Sequence, residues 1–220
     1  MLAVEVDRQL AARLEQQAEP RVRIVVGDVL ALDLAHLVHE LAATHTQSAT
    51  VRLVGNLPYN ISAPILLRVL RAHDLGAPFG DAVLMFQREV ADRVIAQPGS
   101  RSYGPLAIFT ALRAAADLRM TLPPGAFRPI PAVHSAVVEL RFRPPDRMPS
   151  NLAVFESMVR TLFTQRRKQS VNALAPIARR HGAQSAGLFR AAGIDGRRRP
   201  SELELSELIE LAEVLGTDRT

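Results

Sequence analysis

Residues 51–62 read Val51-Arg52-Leu53-Val54-Gly55-Asn56-Leu57-Pro58-Tyr59-Asn60-Ile61-Ser62. Val51 to Val54 is a short apolar, β-branched run, the pattern of a buried strand. Gly55 and Pro58 are expected to end it, and Pro58 biases Leu57 away from the helical region. Asn56 and Leu57 are then extended at the C-terminal mouth of the strand, where ligands bind in open α/β sheets. Ser62 is expected to cap the following helix, with Pro64 in its first turn. An exocyclic amine on a nucleobase is a poor nucleophile because its lone pair is delocalised into the ring. Two acceptors aimed at its two N–H bonds hold the nitrogen part-way to tetrahedral and stabilise the charge that develops on attack. The Asn56 side chain can supply one acceptor and the Leu57 carbonyl the other, while Tyr59 offers a flat face for the base. An ordinary strand-end turn would use the same residue types.

The stretch Asn56-Leu57-Pro58-Tyr59-Asn60-Ile61-Ser62 resembles the signature of the rRNA adenine N6-dimethyltransferases, and most closely that of their KsgA/RsmA, small-subunit branch. The resemblance runs in order along nearly the whole chain. It implies S-adenosylmethionine as cofactor, Asn56, Leu57, Pro58 and Tyr59 as the catalytic stretch, and two adjacent adenosines near the 3′ end of small-subunit rRNA as substrate. It also implies a role in ribosome small-subunit biogenesis, with the pre-30S particle as partner.

The chain has 220 residues, 48% of them hydrophobic, enough for one α/β domain and a smaller second one. There is no run of transmembrane length and no signal-peptide pattern, so a soluble, cytoplasmic protein, acting as a monomer, is expected. Without Cys there are no disulfides and no Cys-ligated zinc, and the six His show no metal-ligand spacing, so no metal is expected. The net charge of +5 suits a polyanionic partner, though basic proteins need not bind nucleic acid.

In chain order, strands are expected at Leu2 to Val6 and Val22 to Val26, each followed by a helix. Glu5 and Asp28 fall at the ends of these strands, as Asn56 does at the end of the next. An acid at such an end can accept hydrogen bonds from ribose hydroxyls. Each acid alone could equally be a surface or turn residue. The resemblance implies Glu5 as the ribose contact, Asp28 as the cofactor-adenine contact and Asn56 beside the cofactor. Further strands are expected at Ala82 to Phe86, Leu118 to Leu122 and Ala136 to Phe142. Helices are expected at Ser62 to Ala72, Gln87 to Val94 and Pro105 to Ala115.

Pro123 to Pro131 holds four prolines in nine residues and reads as a rigid wall. At its centre Phe127 either fills the core or, with Tyr59, sandwiches a flipped adenine. Phe127 to Ser135 resembles a family segment, with Ala132 and His134 replacing its usual Lys and Asp. Ser102-Tyr103-Gly104 resembles a segment beside the family's active site.

Pro144-Pro145 and Pro149 mark a linker, giving a Rossmann-like methyltransferase domain at 1–145 and an all-helical, rRNA-contacting domain at 146–220. Ten basic residues lie between Arg160 and Pro200 against one acid, Asp195. Arg166, Arg167, Lys168, Arg197, Arg198 and Arg199 are the candidate phosphate contacts. A class I methyltransferase sheet should also hold a strand and Gly-rich loop before the Glu5 strand. The chain opens inside that second strand, so a start further upstream, or an impaired truncated form, is expected. Weak cofactor binding is expected of the chain as given. Three alternatives to the main reading are a large-subunit rRNA methyltransferase of the antibiotic-resistance type, a catalytically impaired ribosome-assembly binder and a DNA adenine methyltransferase.

Overall fold

A computed structural model describes residues 1–44, 50–143 and 147–217. They form two compact units, Met1–Val90 with Asp117–Phe142 and Ala91–Ala116 with Arg143–Thr220. Residues 91–116, placed by the sequence with the sheet, thus cluster with the helices. The reason is packing: Leu106, Ile108 and Phe109 are buried, and Phe109 meets Phe155 edge-on at 6.4 Å. The Pro144-Pro145 linker lies outside the described residues.

The first unit is α/β. Strands β1 (Leu2–Glu5) and β2 (Arg23–Val26) pair in parallel, flanking α1 (Arg8–Gln17). Asp7 caps α1 through Gln9 and Leu10, as Asp33 caps α2 (Leu34–Ala43) through His36. A separate sheet has the order β3-β4-β6-β5, from β3 (Val51–Asn56), β4 (Phe79–Gln87), β5 (Ala114–Leu122) and β6 (Ser135–Phe142). Strand β3 runs parallel to β4, and β6 antiparallel to it. Among the described residues no strand joins β1 to β3. The core lies where α3 (Ser62–Asp74) covers the second sheet. Leu66, Val69 and Leu70 are buried there, as are Ala82, Leu84 and Phe86 of β4 and Ala136, Val138 and Leu140 of β6. Alternate residues of β4 and β6 point inward, as the two-residue strand period requires.

The second unit takes the end of α4 (Arg88–Val94), α5 (Pro105–Ala111) and four further helices, α6 (Leu152–Thr164), α7 (Ser170–Arg180), α8 (Ser185–Ala191) and α9 (Leu205–Thr217). Phe155, Met158 and Leu162 of α6, Leu174 of α7 and Leu211 and Leu215 of α9 are fully buried. No described helix is long and apolar enough to cross a membrane.

Local details depart from the sequence reading. Gly55 does not end β3, which continues to Asn56. A Cβ at Gly55 would meet Leu57 Cδ2 at 2.9 Å, so glycine is there to let Leu57 fold back onto the strand. The helix expected to reach Ala115 stops at Ala111, and β5 starts at Ala114, with Arg143 N–H donating to the Arg113 carbonyl. Sheet pairing overrides the helical preference of the Ala114-Ala115-Ala116 run. Ser62 is not a cap: α3 has Ile61 at its N-cap, and the Ser62 hydroxyl donates to the Tyr59 carbonyl at 3.2 Å.

Candidate active site

Strand register brings the central residues together. Asn56 pairs with Met85 on β4, and β6 begins at Ser135 opposite Gln87, two positions further along β4. The chain leaving β3 therefore passes the first residue of β6. There the Tyr59 and Ser135 hydroxyls share a hydrogen bond of 2.5 Å. Ser135 is fully buried, and the Tyr59 ring is half-buried. The Ile61 N–H donating to the Pro58 carbonyl at 3.1 Å and the Ser62 bond to the Tyr59 carbonyl close the turn. Tyr59 is thus fixed at both ends, its carbonyl by Ser62 and its phenol by Ser135. Ser135 is not among the site residues expected from the sequence; 76 positions separate it from Tyr59, and only the strand register reveals the pair.

Asn56 is exposed at the end of its strand, and Leu57 is buried. Among the described residues neither the Asn56 amide group nor the Leu57 carbonyl has a hydrogen-bond partner, so both are available as acceptors. Phe127 follows a 3-10 turn at Pro124–Ala126 and is half-buried, its N–H donating to the Pro124 carbonyl at 3.2 Å. Its carbonyl accepts from Arg128 Nη1 at 2.9 Å. His134 is exposed, and its carbonyl accepts from Arg88 N–H at 2.9 Å. Ala132 is exposed as well.

Glu5 and Asp28 lie at the ends of the paired strands β1 and β2. One Glu5 oxygen accepts from Asp7 N–H at 2.9 Å, and one Asp28 oxygen accepts from Leu30 N–H at 2.9 Å. Each carboxylate keeps a second oxygen for a ligand. Two carboxylate acceptors suit hydroxyl and amine donors, so this donor set fits the ribose and adenine of a nucleoside cofactor.

The basic residues of the helical unit divide into two kinds. Arg167 and Lys168 are exposed, without a side-chain partner among the described residues. Arg197 is exposed and among the described residues reaches only Asp195, at 3.4 Å, whose carboxyl is held low chiefly by the Arg197 backbone N–H. Arg199 is exposed; its backbone N–H donates to Glu202. By contrast, Arg166 donates to the carbonyls of Ser100, at 3.2 Å, and Arg101. Arg198 holds Glu207 with two donors, at 2.5 and 3.0 Å, and also the Glu202 carbonyl. Burial pushes the Glu207 carboxyl up, but the bonds from Arg198 and from the Glu204 N–H outweigh it and leave it low. Tyr103, in the segment that resembles one beside the family's active site, is buried. Its hydroxyl donates to the Leu203 carbonyl at 3.1 Å, and burial raises its pKa far above the usual phenol value.

Comparison with known proteins gives a consistent result. A family model described as "Ribosomal RNA adenine dimethylase" matches residues 1–212. The chain is 41% identical over 218 residues to a "Ribosomal RNA small subunit methyltransferase A" of Dinoroseobacter shibae, covering 96% of this chain and 72% of that protein. It is 38% identical to the protein so named in Anaeromyxobacter sp. (strain K), covering 97% of this chain and 75% of the relative. Among solved structures, a dimethyladenosine transferase from Plasmodium falciparum superposes with a TM-score of 0.73 at 19% identity, covering 96% of this chain and 79% of that one. The 23S rRNA methyltransferase ErmE superposes with a TM-score of 0.64 at 23% identity, covering 98% and 82%. These two likenesses concern the fold.

Proposed function

The chain belongs to the ribosomal RNA adenine dimethylase family, and from that premise we propose that it transfers methyl groups to the N6 amine of two adjacent adenosines near the 3′ end of small-subunit rRNA. The observation that carries this reading is the Asn56–Tyr59 turn, with two acceptors that have no partner among the described residues beside a ring pinned by Ser135. The relatives named as small-subunit methyltransferases, at 35–41% identity, favour this over the large-subunit activity. S-adenosylmethionine, when bound, supplies a methyl group already activated on a sulfonium.

The chain's own residues need do little more than align and stabilise. Asn56 and the Leu57 carbonyl accept the two amine N–H bonds and stabilise the developing positive charge. Pro58 keeps Leu57 extended so that its carbonyl faces the site. Tyr59 and Phe127 stack on the extruded base. Glu5 holds the ribose and Asp28 the adenine of the cofactor, with Asn56 completing its site. The proton leaves to solvent, so the reaction needs neither a metal nor a nucleophilic side chain.

Residues 1–145 are the proposed methyltransferase domain and 146–220 the rRNA-contacting one. In the second, Arg167, Lys168, Arg197 and Arg199 reach phosphates, while Arg166 and Arg198 shape the surface that carries them. The protein acts in the cytoplasm, as a monomer, on the pre-30S particle. The test is product mapping. Small subunits lacking the modification are incubated with the chain and millimolar S-adenosylmethionine, and the rRNA is digested and sequenced by mass spectrometry. N6,N6-dimethyladenosine at two adjacent positions near the 3′ end is expected. Particle binding without any methylated adenine would leave the assembly-binder reading instead.

A further inference from the structure

We propose that the cleft between the start of α2 and the second half of α3 binds a phosphate group. It lies apart from Asn56, Tyr59, Phe127, Glu5 and Asp28, none of which lines it. The cleft encloses about 230 Å³ and is open on one side. Its apolar wall includes Leu34, Ala72 and Leu75, and its charged groups are Arg68, Arg71 and Asp33.

Helical spacing accounts for the pair of cations. Arg68 and Arg71 are three positions apart on α3, so they share one face of the helix. Arg68 is half-buried, and one of its terminal nitrogens donates to the Leu32 carbonyl at 2.6 Å. That bond holds the guanidinium in place against the loop leading into α2. Its Nε–H is buried and has no hydrogen-bond partner among the described residues. A buried donor on a permanently charged group is costly to leave unpaired, and an oxyanion is the ligand that satisfies it best. Arg71 is exposed, with no ion pair or side-chain hydrogen bond among the described residues.

A tetrahedral oxyanion matches two guanidinium groups, whose planar forks suit phosphate oxygens. Asp33 does not cancel them: one oxygen is spent on the His36 N–H at 3.0 Å, and no ion pair joins it to either arginine. The phosphate can be a nucleic-acid phosphodiester or free phosphate, since both present the same oxygens. The site does not depend on the methyl-transfer reading, and either can fail alone.

The test follows the arginine Nε–H signals of the ¹⁵N-labelled full chain, with Arg68 assigned through Arg68→Lys. Inorganic phosphate is titrated at constant ionic strength, with chloride as the balancing anion. A saturable shift of the Arg68 signal in the millimolar range is expected. Arg71→Gln, an exposed change that keeps α3 intact, should weaken binding about tenfold, the worth of one charge-assisted hydrogen bond. Asp33→Asn keeps the helix cap but removes the nearby negative charge, so it should tighten binding. A five-nucleotide oligoribonucleotide is then added. Displacement of phosphate identifies a phosphodiester as the source, and no displacement identifies free phosphate. A shift that follows ionic strength without saturating, or either variant titrating like the parent chain, overturns the proposal.

Discussion

The two sheets of the first unit are built from residues of similar character but are buried very differently. In β4 and β6 buried residues alternate with half-exposed ones along most of each strand. In β1 and β2 none is buried, although Leu2, Val4, Ile24 and Val25 are as apolar as their counterparts. Val6 is 67% exposed and Val26 45%. In β3, at the edge of the four-stranded sheet, none is buried either, and Val54 is 71% exposed. The difference is one of partners: β4 has strands on both sides and α3 above it, whereas among the described residues β1 pairs only with β2. A two-stranded sheet is marginal by itself, while strands with a packed apolar face share their stability. Asn56 ends β3 at the edge of the four-stranded sheet, with Tyr59 on the turn pinned to the start of β6 by Ser135, whereas Glu5 and Asp28 lie at the ends of the two-stranded sheet.

Substitutions on the two sides sharpen this contrast. Asn56→Ala removes one of the two acceptors for the amine, so the methylation rate should fall ~10²–10³-fold with RNA affinity unchanged. Glu5→Gln or Asp28→Asn should instead raise the KM for cofactor and leave the maximal rate closer to the parent. Steady-state kinetics separates the two patterns; a loss of maximal rate shared equally by all three would erase the distinction. Next in size is the stacking pair. Tyr59→Ala and Phe127→Ala should each weaken capture of the target base by ~1–3 kcal/mol, measured with a fluorescent adenine analogue at that position. An unchanged signal in Phe127→Ala would make Phe127 a packing residue.

Smaller effects are expected in the helical unit. Reversal of Arg167 and Lys168 to Glu should lower the log–log salt slope of particle binding by about 0.7–0.9 for each phosphate no longer neutralised. The same change at Arg198 should act mainly on folding, because its guanidinium is committed to Glu207. An unchanged slope for the Arg167 and Lys168 pair would place the RNA elsewhere. The smallest effect is one of pH. Glu207 and Glu213 have carboxyls held below their ordinary value of 4.5, Glu213 by hydrogen bonds from Ser150. Groups with a lowered folded-state pKa stabilise the fold above the ordinary value and lose that contribution as pH falls through the lowered one. The Tm of the helical unit should therefore drop on acidification below 4.5, and Glu207→Gln should flatten the drop. A parent and variant with identical pH profiles would deny Glu207 this role.

Much of this arrangement is legible in the sequence. Strand β3, its turn and the amphipathic α6 and α7 follow from local patterns that tertiary contacts do not oppose. The beginning of β5 is hidden, because three alanines favour a helix until β6 lies beside them. Ser62 carries the right residue type for a cap but is drawn to Tyr59. The pinning of Tyr59 by Ser135 and the engagement of Arg198 by Glu207 depend on partners that no local pattern links. A count of basic residues marks a positive region but does not separate free arginines from those already bound to the protein.

Amide hydrogen exchange of the full chain, resolved by peptide, tests the division between the sheets most directly. Peptides covering Leu2–Glu5 and Arg23–Val26 should exchange quickly, close to the rate of loops, while those covering β4 and β6 should be protected up to global unfolding. Saturating S-adenosylmethionine should slow exchange chiefly in the first group, where its proposed acidic contacts lie. Equal protection of β1, β2, β4 and β6 without cofactor would contradict the account, since the Glu5 and Asp28 strands would then be as firmly held as the packed centre of the four-stranded sheet.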